Sequence, residues 1–377
     1  MHVLIAVLHR PTKPTGVCRH AANLARCLVE TEEVTQVSFV TGTWQKEYFE
    51  TVFRLSSPKI KVIGVDIPNR SISRNLWFLN GLPVLANRLQ PHIVHLSFPL
   101  PFVRSRFDCP VVATIHDLYP YECPENFGRV QSIFNRLFLR QCIAQSNGLT
   151  CVSQETLKKL KFFFPKIQAE LAVIYNSVDF TDIVPQPPEA WVGEQNLPFL
   201  LTVAQHRKNK NLHILIQAFA HLLQQHQLAP ETLLVLVGSP GPETENLQQQ
   251  IATLQLQTQV LLLSSVSDGV LCWLYQNCRL YTVASSTEGF CLPLAEALHL
   301  GCKVVCSDIP ILREVAGEDC VYFRLDSNSV ENLERAISET INPSAPVQAV
   351  TRNRFSLSAI ATQYLQLYTQ ICQQLPS

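Results

Sequence analysis

The sequence predicts an α/β protein built from two doubly wound parallel sheets. Short apolar runs alternate with amphipathic stretches along almost the whole chain, the pattern of strands buried on both faces and linked by helices. The runs fall into two series separated by a proline-rich segment, and 377 residues exceed what one core of ordinary size supports. Two domains joined by a linker follow.

The first series is "HVLIAVL", "VSFVTG", "IKVIGV", "HIVHLS", "PVVATIH", "GLTCVS" and "LAVIYN", ending at residue 176. After its first member comes "GVCRHAANLARCLVE", in which Val17, Ala21, Leu24 and Leu28 recur at helical spacing while Arg19, His20, Asn23 and Arg26 form a polar side. That spacing predicts a surface helix lying on the sheet. The stretch "DIVPQPPEAWVGEQNLP" (182–198) carries four prolines and no apolar period, and reads as a linker. The second series is "FLLTVA", "TLLVLVG", "VLLLSS", "LYTVAS", "KVVCSD" and "CVYFRL". Finally, "SLSAIATQYLQLYTQICQQL" places Ile360, Tyr364, Leu367 and Ile371 on one helical stripe, beyond a completed sheet, so it is free to dock elsewhere. The expected organisation is a first domain at 1–180, a linker at 181–198, a second domain at 199–356 and a terminal helix at 357–377.

Composition narrows the class. Apolar residues make up 47% of the chain and charged ones 16%, which excludes a disordered chain. The formal charge is zero, yet residues 1–180 hold 20 Lys and Arg against 13 Asp and Glu, and the remainder 10 against 17, so the halves carry about +7 and −7. A basic first half suits an anionic partner such as a membrane surface or a phosphorylated acceptor. The 13 cysteines are odd in number, include no C-x-x-C pair and sit largely in apolar runs, as Cys142, Cys151 and Cys306 do, so they read as small buried hydrophobes. The apolar start "VLIAVL" is too short for a signal peptide, and no run reaches membrane-spanning length, which predicts a cytosolic protein.

The stretch with most chemistry is "EGFCLPLAEALHLG" (288–301). Pro293 suits the first turn of a helix and Gly301 the position just past its end, so a short helix is expected over 293–300. The strand run "LYTV" precedes it. Glu288 therefore lies at a strand's carboxyl end and Glu296 on the helix's second turn, in the crevice where open α/β sheets bind ligands. Unpaired N–H groups at the helix start favour an anion near Phe290 to Leu292, and flanking carboxylates accept hydroxyl hydrogen bonds. A phosphorylated polyol such as a nucleotide sugar fits.

In order, "PTGVCRHAANLA" (14–25), "TIHDL" (114–118), "VSQET" (152–156), "VIYNSVD" (173–179), "VAQHRKNKNLHILIQAF" (203–219), "LVGSPGP" and "SSTEGFCLPLAEAL" together resemble family four of the retaining glycosyltransferases, over almost the whole chain. The resemblance implies a GT-B fold: two Rossmann-like domains facing a cleft, with the C-terminal helix returning to the N-terminal domain. It implies that Glu288 faces the hydroxyls of the donor sugar and Glu296 the ribose, that His116 faces the sugar from the other domain, and that Gly16 approaches the diphosphate closely. Gly289, Phe290, Cys291, Leu292 and Val266 complete the expected donor-binding set. Arg207 and Lys210 follow a strand's carboxyl end, where fixed cations can neutralise a leaving diphosphate. No D-x-D occurs anywhere, so this pair is expected to replace a metal ion, with Lys208 an alternative for either position.

Two positions depart from the family pattern: Cys291 stands where glycine is commonest, which narrows the space near the sugar, and Ser177 replaces the glycine of the "NGVD" turn, which stiffens it. Asp117 beside His116 is a weaker candidate, because adjacent strand residues point to opposite faces. The run "LKKLKFFFPK" (157–166) is read as core in preference to a membrane-inserting segment. The expected function is retaining, metal-independent and cofactor-free transfer of a sugar from a nucleotide-sugar donor to a sugar or lipid-linked saccharide acceptor, in polysaccharide or glycoconjugate assembly. The site is expected in the cytoplasm, with peripheral contact to the inner face of the cytoplasmic membrane through the basic half, and with no nucleic-acid partner. Alternatives are a nucleotide-sugar epimerase or hydrolase on the same fold and a non-catalytic nucleotide-sugar-binding scaffold.

Overall fold

The computed structural model describes residues 1–10, 16–124, 128–189, 197–264, 266–341 and 354–374. Pro14 and Thr15 of the 14–25 motif and residues 190–196 of the expected linker lie outside them, as do Ser265, 342–353 and 375–377. The chain divides into two compact units, Met1–Asp179 with Asn353–Ser377, and Phe180–Arg352.

The first unit carries strands β1 (His2–Ala6), β2 (Gln36–Gly42), β3 (Ile60–Val65), β4 (Ile93–Leu96), β5 (Val111–Ile115), β6 (Gly148–Cys151) and β7 (Glu170–Val173). They pair in parallel in the order β3-β2-β1-β4-β5-β6-β7. Its helices are α1 (Gly16–Val29), α2 (Thr43–Thr51), α3 (Ser71–Leu89), α4 (Tyr119–Glu122), α5 (Arg129–Gln145) and α6 (Gln154–Phe163). The second unit has β8 (Phe199–Val203), β9 (Leu233–Val237), β10 (Val260–Leu263), β11 (Leu280–Val283), β12 (Val304–Ser307) and β13 (Val321–Phe323), again all parallel, in the order β10-β9-β8-β11-β12-β13. Its helices are α7 (Leu212–Gln224), α8 (Thr244–Thr253), α9 (Asp268–Asn277), α10 (Leu292–His299), α11 (Pro310–Ala316) and α12 (Ser329–Ile341). The last helix, α13 (Leu357–Gln374), belongs to the first unit.

Both faces of the first sheet are buried, which is why its strands read as unbroken apolar runs. Val3 and Ile5 enter one core with α1, while Leu4 and Ala6 enter another with Phe78 and Leu82 of α3 and Cys142 and Ile143 of α5. The stripe Ile360, Tyr364, Leu367 and Ile371 of α13 packs into the first of these cores. All 13 cysteines are free thiols, most of them buried, which agrees with a packing role.

Two expectations about exposure need correction. Far from being a surface helix with a solvated face, α1 buries His20 and Asn23 from its expected polar side. Packing of α13 onto the same core and the segment after β7 cover that face, and Asn23 donates to the Ser177 carbonyl at 3.0 Å. In "LKKLKFFFPK" the core reading holds for Phe163 and Phe164, which pack around Tyr121, but Phe162 is 79% exposed.

The contact of α13 with the sheet includes a polar chain. The Tyr368 hydroxyl meets His95 Nδ1 at 2.7 Å, and His95 Nε2 meets Thr114 Oγ1 at 2.8 Å, which in turn meets Thr150 Oγ1 at 2.8 Å. Because a phenol donates well, the consistent assignment makes Nδ1 the acceptor and Nε2–H the donor, a neutral imidazole. Burial lowers His95 to about 3, helped by the positive potential of His116. The unfolded chain therefore binds a proton that the folded one does not, from an ordinary pKa of 6.5 down to about 3. Stability from this group is full above that window and falls as pH drops through it. In thermal unfolding between pH 6 and pH 4, His95→Gln should flatten the pH dependence by about one proton, roughly 1.4 kcal/mol per pH unit; the same slope in variant and parent would refute this account of His95.

Candidate active site

Strand order selects one place in the second sheet. The chain leaves β8 towards β9 on one side and reaches β11 on the other, so the loops after β8 and β11 diverge at the switch point where α/β sheets form a ligand crevice. Those are the loops "AQHRKNKN" and "ASSTEGFC". They are laced together: Asn209 Nδ2 donates to the Thr287 carbonyl at 3.2 Å, Ser286 N–H to the Asn209 carbonyl at 2.9 Å, and Asn211 Nδ2 to the Ala284 carbonyl at 2.9 Å. Next to them, a side chain at Gly238 would collide with the Ala204 carbonyl and one at Gly241 with the His206 carbonyl. Glycine there lets "LVGSPGP" lie directly against the loop after β8.

The lacing brings Lys210 and Glu288 into contact. Lys210 Nζ lies 2.5 Å from Glu288 Oε1, which also accepts from Ser285 Oγ at 2.7 Å, and the two charged side chains retain only 15% and 8% of their exposure. Cys291 is buried against the same carboxylate, and burial first, then the Glu288 charge, pushes its thiol well up. Glu296, on α10, is buried and its Oε2 accepts from the Tyr275 hydroxyl at 3.0 Å. Phe290 and Gly289 are buried beside Glu288, whereas Leu292 and Val266 are half-exposed, Val266 just after β10. Arg207 is half-exposed on the lysine-bearing loop and makes no ion pair among the described residues. Lys208 is exposed.

The helix after Glu288 runs over Leu292–His299, one residue earlier at each end than expected, with Gly301 at φ +80° beyond its end. Cys291 caps its start at φ +68°, in the left-handed region. That conformation costs a side-chain-bearing residue about 1–2 kcal/mol, which gives a backbone reason for glycine being commonest there. Ser177 is different: it is not among the residues with positive φ, so serine fits its turn without that strain.

In the first unit, Gly16, Ser97 and His116 follow β1, β4 and β5, again at a switch point. A side chain built at Gly16 meets no atom of the described residues within 4 Å, so packing against them does not require glycine there. His116 is half-buried; its Nε2 lies 2.7 Å from the Ser97 carbonyl, so Nε2 carries the proton and Nδ1 the lone pair. Burial lowers it to about 4 despite that hydrogen bond. His20, fully enclosed on α1, abuts it edge-on with ring centroids 4.8 Å apart. Asp117 instead accepts from the Tyr119 N–H at 3.0 Å, at the start of α4. Thus Glu288, Lys210 and Cys291 share one cluster in the second unit, with Ser285 and Asn209 as supporting residues, and Tyr275 is the partner of Glu296; none of these three was singled out from the sequence. Gly16 and His116 belong to the first unit, where His20 and Ser97 were likewise not singled out.

Comparison with known proteins follows this division. The family described as Glycosyltransferase Family 4 matches residues 14–182, and the one described as Glycosyl transferases group 1 matches 188–356. O-antigen chain mannosyltransferase B of Escherichia coli is 24% identical over 387 aligned residues, covering 94% of this chain and 96% of that protein. O-antigen chain mannosyltransferase RfbU of Salmonella typhimurium is 25% identical over 227 residues, 59% of this chain, and the chain spans only 60% of that relative's length. Among solved structures, sucrose-phosphate synthase from Thermosynechococcus elongatus superposes with a TM-score of 0.74 at 16% identity, covering 99% of this chain and 100% of that one. Anabaena HepE in complex with UDP-glucose superposes at 0.66 with 20% identity, covering 99% and 98%. At these identities the structural likeness speaks to the GT-B fold.

Proposed function

The chain belongs to the family 4, group 1 glycosyltransferases, and from that premise we propose that it moves a hexosyl unit from a nucleotide sugar to a saccharide hydroxyl, with retention and without a metal ion, in polysaccharide assembly. The observation that carries the reading is the buried Lys210–Glu288 pair beside the start of α10, at the switch point of the second sheet. The O-antigen names of the sequence relatives and the UDP-glucose complex of HepE support the acceptor and donor classes.

Each residue then has a part. The diphosphate sits at the N-terminus of α10, beside Phe290 to Leu292, where the first backbone N–H groups and the dipole of a helix favour an anion. Arg207 and Lys210 balance the charge that grows on it as the glycosidic bond breaks. Lys210 is shared: turning from Glu288 to phosphate, it leaves the carboxylate to accept sugar hydroxyls and to stabilise positive charge at the anomeric carbon. Glu296, oriented by Tyr275, holds the ribose, and Val266 borders the nucleoside. In the first unit His116 offers its ring to a sugar hydroxyl and Gly16 leaves room for an anion, at that unit's own switch point. The leaving phosphate takes the acceptor proton on the same face, which preserves configuration. An epimerase or hydrolase would release nucleotide without acceptor, and a scaffold would release none, so a donor panel assayed with and without saccharide acceptor separates the three.

A second element of the reading is peripheral contact with the anionic inner face of the cytoplasmic membrane. On α5, Ile133, Phe134 and Leu137 are 59%, 52% and 53% exposed beside exposed Arg140, and on α6 Phe162 lies between exposed Lys158, Lys161 and Lys166. Aromatic and aliphatic side chains among cations suit insertion at such a surface. No helix among the described residues is long and apolar enough to cross a membrane.

Three outcomes are expected. Glu288→Gln should lower kcat by on the order of tenfold to a hundredfold, with the Kd for nucleoside diphosphate little changed, while Glu296→Gln weakens binding of sugar nucleotide and free nucleotide alike. Steady-state kinetics beside calorimetry decides this; abolition of kcat by the second change with near-normal turnover in the first reverses the roles. Turnover should persist in EDTA, and loss on chelation that magnesium or manganese restores would overturn the metal-free reading. The chain should sediment with phosphatidylglycerol vesicles but not phosphatidylcholine ones, and Phe134→Asn combined with Leu137→Asn should abolish this. Equal binding to both vesicle types, or none, counts against the membrane contact.

A further inference from the structure

The second unit contains two thiols outside the chemistry just described that are placed to react with each other. Cys306 lies on β12 and is fully buried; Cys320 directly precedes β13 and is half-exposed. Since Cys306 pairs across the sheet with Tyr322, Cys320 stands two residues along on the same face. Their sulfurs are 3.2 Å apart. The surroundings favour thiolate on the exposed partner: the hydrogen bond from Cys306 chiefly, and then the Arg313 charge, pull Cys320 below the ordinary thiol range, against its partial burial. Arg313 stacks on the Tyr322 ring at 4.3 Å and is fixed by Asp308 at 2.5 Å, so this cation is held in place. Burial keeps Cys306 a thiol. An accessible thiolate next to a protonated partner is the arrangement of a peroxide-sensitive pair.

We propose that Cys320 and Cys306 form a reversible disulfide on reaction with hydrogen peroxide, and that this bond lowers turnover at the Glu288 site. The Cys320 thiolate attacks the peroxide O–O bond, giving a sulfenic acid and hydroxide. Cys306 sulfur then displaces the sulfenic oxygen as hydroxide, which takes the Cys306 proton to give one water; the first hydroxide takes the proton that Cys320 lost on ionising to give the other, so that two thiols and one peroxide become one disulfide and two waters. The sulfurs close from 3.2 Å to about 2.05 Å, a shift that strand ends can supply. The consequence for the site runs through the next residue. Ser307 Oγ donates to the Ser285 carbonyl at 2.5 Å, and Ser285 Oγ donates to Glu288 Oε1 at 2.7 Å, so drawing Cys306 towards β13 displaces the hydroxyl that orients the carboxylate. The pair Cys278 and Cys302 is less suited: its sulfurs are 3.8 Å apart, and the Cys302 thiol also donates to the Tyr275 carbonyl.

The effect on turnover rests on the transferase reading; bond formation does not. The test treats the full chain with hydrogen peroxide, caps remaining thiols with N-ethylmaleimide and maps non-reduced peptides by mass spectrometry. A Cys306–Cys320 crosslink that dithiothreitol removes and that Cys320→Ser abolishes is the expected result. Recovery of Cys320 as the maleimide adduct or sulfinic acid without a crosslink overturns the proposal, as does preferential bridging of Cys278 and Cys302. In parallel, turnover of a nucleotide sugar should fall severalfold on oxidation, recover with dithiothreitol and stay constant in Cys320→Ser. A crosslink with unchanged turnover overturns the coupling, and absence of turnover with every donor before oxidation counts against the transferase reading while the peptide map still decides the thiol chemistry.

Discussion

The arrangement of the second unit depends on a charged pair placed where water is scarce. Lys210 and Glu288 come from different loops, retain little exposure and meet at 2.5 Å. Removing either partner would leave a buried charge uncompensated, which is far more costly than the net worth of the pair. The loops must therefore be held in register before the pair is tolerable. Asn209 and Asn211 do this through hydrogen bonds to backbone carbonyls, a constraint that does not depend on charge. The glycines at 238 and 241 press a third loop against the first. What results is a carboxylate fixed in position by its cation and by Ser285, which share one oxygen.

Topology explains why these residues are far apart in sequence yet adjacent in space. Neighbouring β8 and β11 are separated along the chain by β9 and β10, which fill the other side of the sheet. The first unit repeats the device with β1 and β4, which are followed by Gly16 and Ser97, while His116 follows the neighbouring β5. A doubly wound sheet opens its crevice at that reversal, because consecutive helices cover opposite faces on either side of it. Spacing in the sequence then matters less than position after a strand.

That is also why so much was legible beforehand. Strands buried on both faces must be apolar throughout, so runs such as "TLLVLVG" and "KVVCSD" mark themselves, and polar residues just past them mark the crevice. Glu288 and Lys210 were found this way. The helical period failed for α1 because it assumes one buried face; α13, from the far end of the sequence, covers a second, so His20 and Asn23 are enclosed. Tyr275 carries no local signal either, being an aromatic on an ordinary apolar helix whose hydroxyl finds Glu296 only after α9 and α10 pack. Nor does a sequence show φ: the left-handed conformation of Cys291 accounts for the glycine preference in a way that space for the sugar does not.

The thiols and the carboxylate site share a structural cause. A parallel sheet places the ends of its strands side by side, so chemistry at one strand end is transmitted to the next through residues only one or two positions away. Ser307 is such a link, bound backwards to the β11 loop and following a cysteine that faces β13. The same closeness that lets Ser285 orient Glu288 thus exposes the carboxylate to events on a neighbouring strand. A site built on loops alone would lack that sensitivity but would also lose the rigidity that holds a buried cation and anion together. In this fold, precision at the crevice and susceptibility to the state of adjacent strands are two consequences of one packing geometry.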